Sequence, residues 1–420
     1  MIVSRFTFRA LALCAFASVL SACAASDGAR RSSSAALPNL ASVSASEQVL
    51  YSFSGGTDGG NAATGLALDR KGNLFGTTVV GGTNACGTVF KLAPQAEPPW
   101  TESVLYSFGC FADGKNPHGG VTFDPKGNLD GTTVSGGSGG SCGSSGCGVV
   151  FSLTPSTGTE KVLHSFIGGD DGFGPGGGVT FDGPTLYGTT PAPDGGKYSQ
   201  GVVYSVSRGG SERIAHAFTG GKDGAGGSLG LLLLMSKSLY GVTEEGGAHS
   251  AGTVFRLSPV GKRWRLTTLY AFKGTPDAAS PYGGLVADSS GDLFGTTYYG
   301  GANNMGSVFE LTPDRKGGYH ERVLYSFAGG SDGSSPTSTL TLAGSVLYGT
   351  ASAGGGSCGC GTVFKVDAES GAETTLHAFG GGGDGAYPYY GLTKGAKNTF
   401  YGTTVAGGVS GQGTVFALKP

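Results

Sequence analysis

A phrase of the form LYSF recurs seven times along the 420-residue chain, ending at Phe53, Phe108, Phe166, Phe218, Phe272, Phe327 and Phe379. The intervals are 55, 58, 52, 54, 55 and 52 residues. Each phrase is followed by a Gly- and Asp-rich turn and an apolar stretch such as GLALD, GGVTFD or GGLVAD. Next come LFGTT or LYGTT, a Gly-rich loop, and GTVFKL or a variant of it. All four phrases are short and rich in β-branched or aromatic residues, with Gly, Pro, Asn or Asp between them, which is how strands and tight turns alternate. Four strands in about 50 residues match one propeller blade. With 83 Gly in the chain, each disfavouring a helix interior by about 1 kcal/mol relative to Ala, a mostly helical fold is excluded. No Gly-X-Y period points to collagen, and a parallel β-helix uses a shorter coil.

The expected fold is therefore all-β: a seven-bladed β-propeller of four-stranded blades spanning residues 47–420. The apolar GLALD type is expected as strand A, innermost at the crowded axis, LYGTT as B, GTVFKL as C and LYSF as the outer strand D. In this order the repeats open with a lone D strand (Val49 to Phe53) and close with a lone A-B-C set (Gly391 to Leu418). The last blade is then completed by the N-terminal strand, which leaves no open radial edge.

The succession LYSF…GG-x-DG…GGL-x-x-D…GNL(Y/F)GTT…GG…GTVFKL resembles the bacterial GloVer tandem-repeat family, also called choice-of-anchor proteins. The resemblance covers residues 48–420. Such proteins vary the anchoring device around a common array, and no established catalytic activity comes with the resemblance. This copy departs from the pattern at Asp130 (LDGTT), at Val242 (GVT) and at Val202-Val203-Tyr204 in place of TVF.

One such anchor is legible at the N-terminus. Arg5 and Arg9 precede an apolar run from Ala10 to Leu20 that is too short to span a bilayer and suits an export signal. The ending Leu20-Ser21-Ala22-Cys23 is similar to the lipobox of bacterial lipoproteins. It implies a signal peptide over residues 1–22, lipidation of Cys23 and a membrane partner; an ordinary signal peptide cut nearby is the alternative. Ala24, where Asp would mark inner-membrane retention, implies an outer-membrane lipoprotein facing either the periplasm or the exterior. Residues 23–46 are small and polar beyond the cysteine and read as a flexible tether. Setting aside Cys14 and Cys23, six cysteines remain in a compartment where disulfides are the default. Cys86 with Cys110, Cys142 with Cys147 and Cys358 with Cys360 are the expected bridges, the last a strained ring; zinc is the alternative, but the pairs fall in different blades.

With 27 Lys and Arg against 29 Asp and Glu, the chain lacks the basic footprint of a nucleic-acid binder. No HExxH, GxSxG or clustered Cys/His spacing occurs, and no cofactor is expected. In a blade of this order the D–A and B–C connections share one face, and loops carry function more often than scaffolds do. Aromatics on that face, Tyr282, Tyr298 and Tyr299 of the fifth repeat and Tyr387, Tyr389 and Tyr390 of the seventh, suit stacking on sugar faces; filling space between blades is the alternative. An Asp follows each repeat's Phe by five residues: Asp58, Asp113, Asp171, Asp223, Asp277, Asp332 and Asp384. Turn chemistry accounts for them, and a ring of carboxylates holding a cation such as Ca²⁺ is the alternative. The best acid–base group is Glu244, Glu245 and His249 in the fourth repeat's B–C loop, beside the fifth repeat's tyrosines; ordinary solvated charge is the alternative. The expected role is non-catalytic binding or scaffolding by a monomer, with a glycan or protein ligand. A lyase or hydrolase acting on extracellular polysaccharide at the channel mouth is the alternative.

Overall fold

Seven antiparallel sheets follow one another in the computed structural model, which describes residues 45–191, 200–227 and 230–420. Blade 1 runs through strands A (Ala67–Leu68), B (Leu74–Thr78), C (Thr88–Ala93) and D (Thr101–Ser107). Blade 2 uses Val121–Phe123, Leu129–Thr133, Val149–Thr154 and Thr159–Ser165; blade 3 uses Thr180–Asp182, Thr185–Thr190, Val202–Ser207 and Glu212–Ala217. In blades 4 and 5 strand A is split into two pieces, Ala225–Gly227 with Leu233–Met235 and Ala278–Pro281 with Val286–Ala287. Their B, C and D strands are Ser238–Glu245, Thr253–Val260 and Arg263–Ala271, then Leu293–Gly300, Ser307–Pro313 and Tyr319–Ser326. Blade 6 uses Thr341–Ala343, Val346–Ala351, Thr362–Asp367 and Glu373–Ala378. Blade 7 takes A, B and C from Thr393–Lys394, Phe400–Thr404 and Thr414–Lys419, and its D strand is Ser46–Ser52 from the other end of the chain. That strand is longer than the recurring phrase, its first residue pairing Ser46 with Lys419.

The repeated phrases explain why the blades form and why they pack. Strand B needs its glycine because the strand C aromatic lies across it. A Cβ on Gly76 would sit 2.7 Å from Phe90 Cζ, inside any real contact distance. Phe90 in turn meets the edge of Phe53 from the preceding blade at 5.1 Å between centroids. The same pairing recurs at the other six boundaries, Phe108–Phe151, Phe166–Tyr204, Phe218–Phe255, Phe272–Phe309, Phe327–Phe364 and Phe379–Phe416, all edge-on as aromatic quadrupoles prefer. Tyr204 thus does the work of the phenylalanine it replaces.

Each of seven buried apolar clusters joins two neighbouring blades, and one of them, holding Leu50, Phe53, Leu74, Phe90 and Val415, joins blade 7 to blade 1. The first Thr of LYGTT adds a polar tie, donating from Oγ1 to a backbone carbonyl of the next blade. Thr132 reaches Gly177 O at 2.7 Å, Thr296 reaches Ser338 O at 2.8 Å, and Thr403 closes the ring on Thr64 O at 2.8 Å. At the axis the A segments come so close that a Cβ on Gly119 would lie 2.4 Å from the Gly177 carbonyl carbon. The propeller is closed, with the expected strand order.

Candidate functional site

D–A segments and the beginnings of B–C loops pair directly, as in the bridges Gly60 to Val80, Lys115 to Ser135, Ser334 to Ala353 and Ala386 to Ala406. The two sets of connections therefore form one face. Nine large apolar side chains are exposed among the described residues. Seven of them, Phe111, Ile167, Leu231, Tyr299, Met305, Tyr387 and Val409, lie in D–A segments, in B–C loops or at the strand end beside them. Six of the seven B–C loops hold no Asp, Glu, Lys or Arg, whereas the D–A segments carry the seven recurring aspartates with Lys115, Lys222 and Lys273.

The tyrosines of two non-adjacent blades converge there. Tyr298 contacts Tyr299 edge-on at 4.6 Å and Tyr282 at 6.2 Å between centroids. Tyr389 and Tyr390, brought in by the segment leading to blade 7, lie close enough to Tyr282 to act on its hydroxyl, and Tyr387 stands beside Tyr389. Blade 6 lies between them and offers only Thr337 at the matching position, where its hydroxyl donates to Tyr389 O at 2.8 Å. A small residue there leaves room for rings from either side to meet. Burial, then the Glu244 carboxylate, pushes the Tyr282 phenol well above its ordinary value; burial pushes Tyr389 to about 12 and Tyr390 higher still. These phenols stay neutral and keep a proton to donate. Tyr299 and Tyr387 form the exposed rim, at 50% and 38%.

His118 occupies, three residues before the buried apolar residue of its A segment (Val121), the register that Tyr282 and Tyr389 occupy before Leu285 and Leu392. Desolvation holds its imidazole down at about 4, so it too is neutral. Sequence reasoning passed over His118; counting from the buried residue of each A segment would have found it.

The acid–base candidates are less well assembled. Glu244 and Glu245 are consecutive at the end of strand B in blade 4, so their side chains project to opposite faces. Glu245 is opposite Ala225, and His249 is exposed four residues further along the loop. Glu244 joins the tyrosine cluster instead.

All seven recurring aspartates are occupied in their own turns. Each accepts the backbone N–H four residues before it at 2.5–3.1 Å. Each also takes the Tyr hydroxyl or His Nε2 seven residues before it, from Tyr51 to Asp58 through His377 to Asp384, at 2.9–3.3 Å. His164, His216 and His377 thus substitute for Tyr as partners of this clasp. No group of three His, Cys, Asp or Glu fit to hold a metal occurs among the described residues. Disulfides join Cys86 to Cys110, Cys142 to Cys147 and Cys358 to Cys360, the expected pairs. Cys23 lies outside the described residues.

A family model described as the Gloeobacter/Verrucomicrobia repeat matches residues 36–193, 138–359 and 315–420. No curated protein matches the sequence significantly. Among solved structures the chain is similar to a candidate 6-phosphogluconolactonase from Bacteroides uniformis, at 14% identity and a TM-score of 0.49, over 82% of this chain and 94% of that one. It is also similar to PorZ, a surface component of the type-IX secretion system of Porphyromonas gingivalis, at 11% identity and a TM-score of 0.46, over 84% and 46%. Regucalcin, a calcium-binding protein of Agrobacterium tumefaciens, is similar at 13% identity and a TM-score of 0.41, over 73% and 85%.

Proposed function

Because the chain belongs to the Gloeobacter/Verrucomicrobia repeat family, we propose that it is a binding module of the cell envelope, held by a lipid on Cys23, that takes a neutral glycan at the tyrosine-lined channel mouth. The observation that carries this reading is the meeting of Tyr282, Tyr298, Tyr389 and Tyr390 from two separated blades on the face of the D–A and B–C connections. Apolar ring faces suit the C–H faces of a pyranose, and neutral phenols donate to its hydroxyls. The three bridges support export, since disulfides persist in oxidising compartments.

A glycan array probed with the purified chain tests the ligand. The expected result is binding to uncharged oligosaccharides, weakened about tenfold by Tyr282→Ala or Tyr389→Ala, which is the worth of one ring contact of about 1.4 kcal/mol. Binding left intact by both variants overturns the site. The anchor has its own test. Cys23→Ser is expected to move the protein from the membrane fraction to the soluble fraction, because a short apolar leader alone does not hold a mature protein on a bilayer. An unchanged membrane fraction overturns lipidation.

A further inference from the structure

A second recurring carboxyl stands four residues before the clasp Tyr or His in every D strand but one: Glu47, Glu102, Glu160, Glu212, Glu321 and Glu373. Each faces the Asp of the turn leading into its own blade, so that a Tyr or His from one blade, the clasped Asp, and a Glu from the next blade form a row across the boundary. The rows are Tyr51–Asp58–Glu102, Tyr106–Asp113–Glu160, His164–Asp171–Glu212, Tyr270–Asp277–Glu321, Tyr325–Asp332–Glu373 and His377–Asp384–Glu47. In blade 4 the position is Leu266, and the His216–Asp223 clasp stands without a Glu.

In five of the six glutamates, Glu47, Glu102, Glu160, Glu212 and Glu321, the oxygen Oε1 is buried and accepts no hydrogen bond. A buried carboxylate oxygen with no donor is costly, whereas a protonated carboxyl needs fewer donors and supplies one itself. The Asp beside it is already an acceptor for its clasp, and so is well placed to receive that proton. At Glu321 the contact is direct, the carboxyl reaching both Asp277 and the Tyr270 hydroxyl. We propose that at the five boundaries with an unpartnered Glu oxygen the Glu carboxyl is held protonated beside the clasped Asp, the proton lying between the two carboxyls at Glu321 and Asp277, so that closure of the ring is proton-linked.

The remaining groups facing each pair agree with this. Burial first, and the Asp second, push Glu47, Glu102 and Glu160 up to about 7. Burial and Asp171 raise Glu212 to the same level against His164, and burial and Asp277 raise Glu321 against Lys273. Burial raises Glu373 as well, with the Thr375 hydroxyl working against it and Asp332 adding to the rise. Because the folded carboxyls hold protons that an unfolded chain releases above about 4.5, their contribution to stability is complete below that value and is lost as pH rises through about 7.

Thermal unfolding between pH 5 and 8, with buffers of different ionisation enthalpy, tests the proposal on the intact chain. The expected results are a midpoint that falls as pH rises and a release of protons on unfolding at pH 6. Glu321→Gln, whose amide donates to Asp277 at any pH, is expected to raise the midpoint at pH 8 and to flatten the slope; Glu102→Leu, which copies blade 4, is expected to flatten the slope as well. Unfolding that takes up protons or exchanges none at pH 6 overturns the proposal. So does a Gln variant that lowers the midpoint at pH 8 as much as at pH 5, since that is the mark of an ordinary ionised partner.

Discussion

A chain lacking residues 45–53 is expected to lose its cooperative native transition. The deleted strand is the D strand of blade 7, paired along its length with Thr414–Lys419. It inserts Leu50 and Phe53, 2% and 0% exposed, into the cluster between blades 7 and 1. Its backbone also holds both neighbours, through Phe53 N to Gly413 O at 3.0 Å and Trp100 N to Leu50 O at 2.8 Å. Truncating one buried Phe costs about 3–5 kcal/mol and one buried Leu about 2–5 kcal/mol, against a typical total stability of 5–15 kcal/mol. Losing both, together with the strand ladder, removes the margin and exposes the edge of Thr414–Lys419 to intermolecular pairing. Phe53→Ala alone is expected to cost about 3–5 kcal/mol in urea unfolding. The decisive comparison is transplantation: residues 45–53 joined after Pro420 through a short turn place strand D after strand C, as in the other six blades, and should restore the transition. A truncated chain that melts like the intact one would overturn the closure.

Arg208→Ala is expected to be nearly as damaging. In the other six blades the residue after the first Leu or Phe of strand B is aromatic: Phe75, Tyr187, Tyr240, Phe294, Tyr348 and Tyr401. In blade 2 it is Asp130, wholly buried. From the turn after strand C of blade 3, Arg208 crosses the boundary and donates to both Asp130 oxygens at 2.7 and 2.6 Å. It also pairs with Asp124 at 3.1 Å and lies over the Phe181 ring. Burial pushes the Asp130 carboxyl above its ordinary value even with the guanidinium in place. Removing the cation strands that carboxylate, a change worth about 3–5 kcal/mol, whereas replacing the whole pair by apolar groups is often neutral or stabilising. Asp130→Tyr combined with Arg208→Ala is therefore expected to recover most of the stability, with a coupling energy of several kcal/mol in the double-mutant cycle. Additive losses in that cycle would show that the pair is not what joins the two blades.

The legible part of this protein is whatever repeats. Strand order, blade number and closure by the first strand follow from phrases that recur at a nearly constant interval, and the three disulfides from where the cysteines fall against those phrases. Even the departures at Asp130 and Tyr204 are visible as departures. What each means was not visible, because the partner of Asp130 is 78 residues away in sequence. The recurring aspartates read correctly as turn residues, since a turn is local. Their linkage to the glutamates is not local, although the Glu recurs six times in the D strands, because the Asp stands in the turn before strand A and the Glu in strand D at the far end of the same blade.

The site divides in the same way. That Tyr282, Tyr298, Tyr299, Tyr387, Tyr389 and Tyr390 share a face follows from strand order alone, but their meeting across blade 6 depends on how closely the A segments crowd the axis and on Thr337 being small. Glu244, an acid–base candidate in a loop next to the fifth blade's tyrosines, stands close enough to Tyr282 to act on its phenol. Hydrophobic period and turn chemistry act over a few residues and are written in order along the chain, so the sequence by itself determined the propeller. Contacts between repeats depend on three-dimensional distance, where one missing ring or one buried charge changes the partner, so only the tertiary structure decided which polar groups meet at the blade boundaries and which tyrosines come together on the shared face.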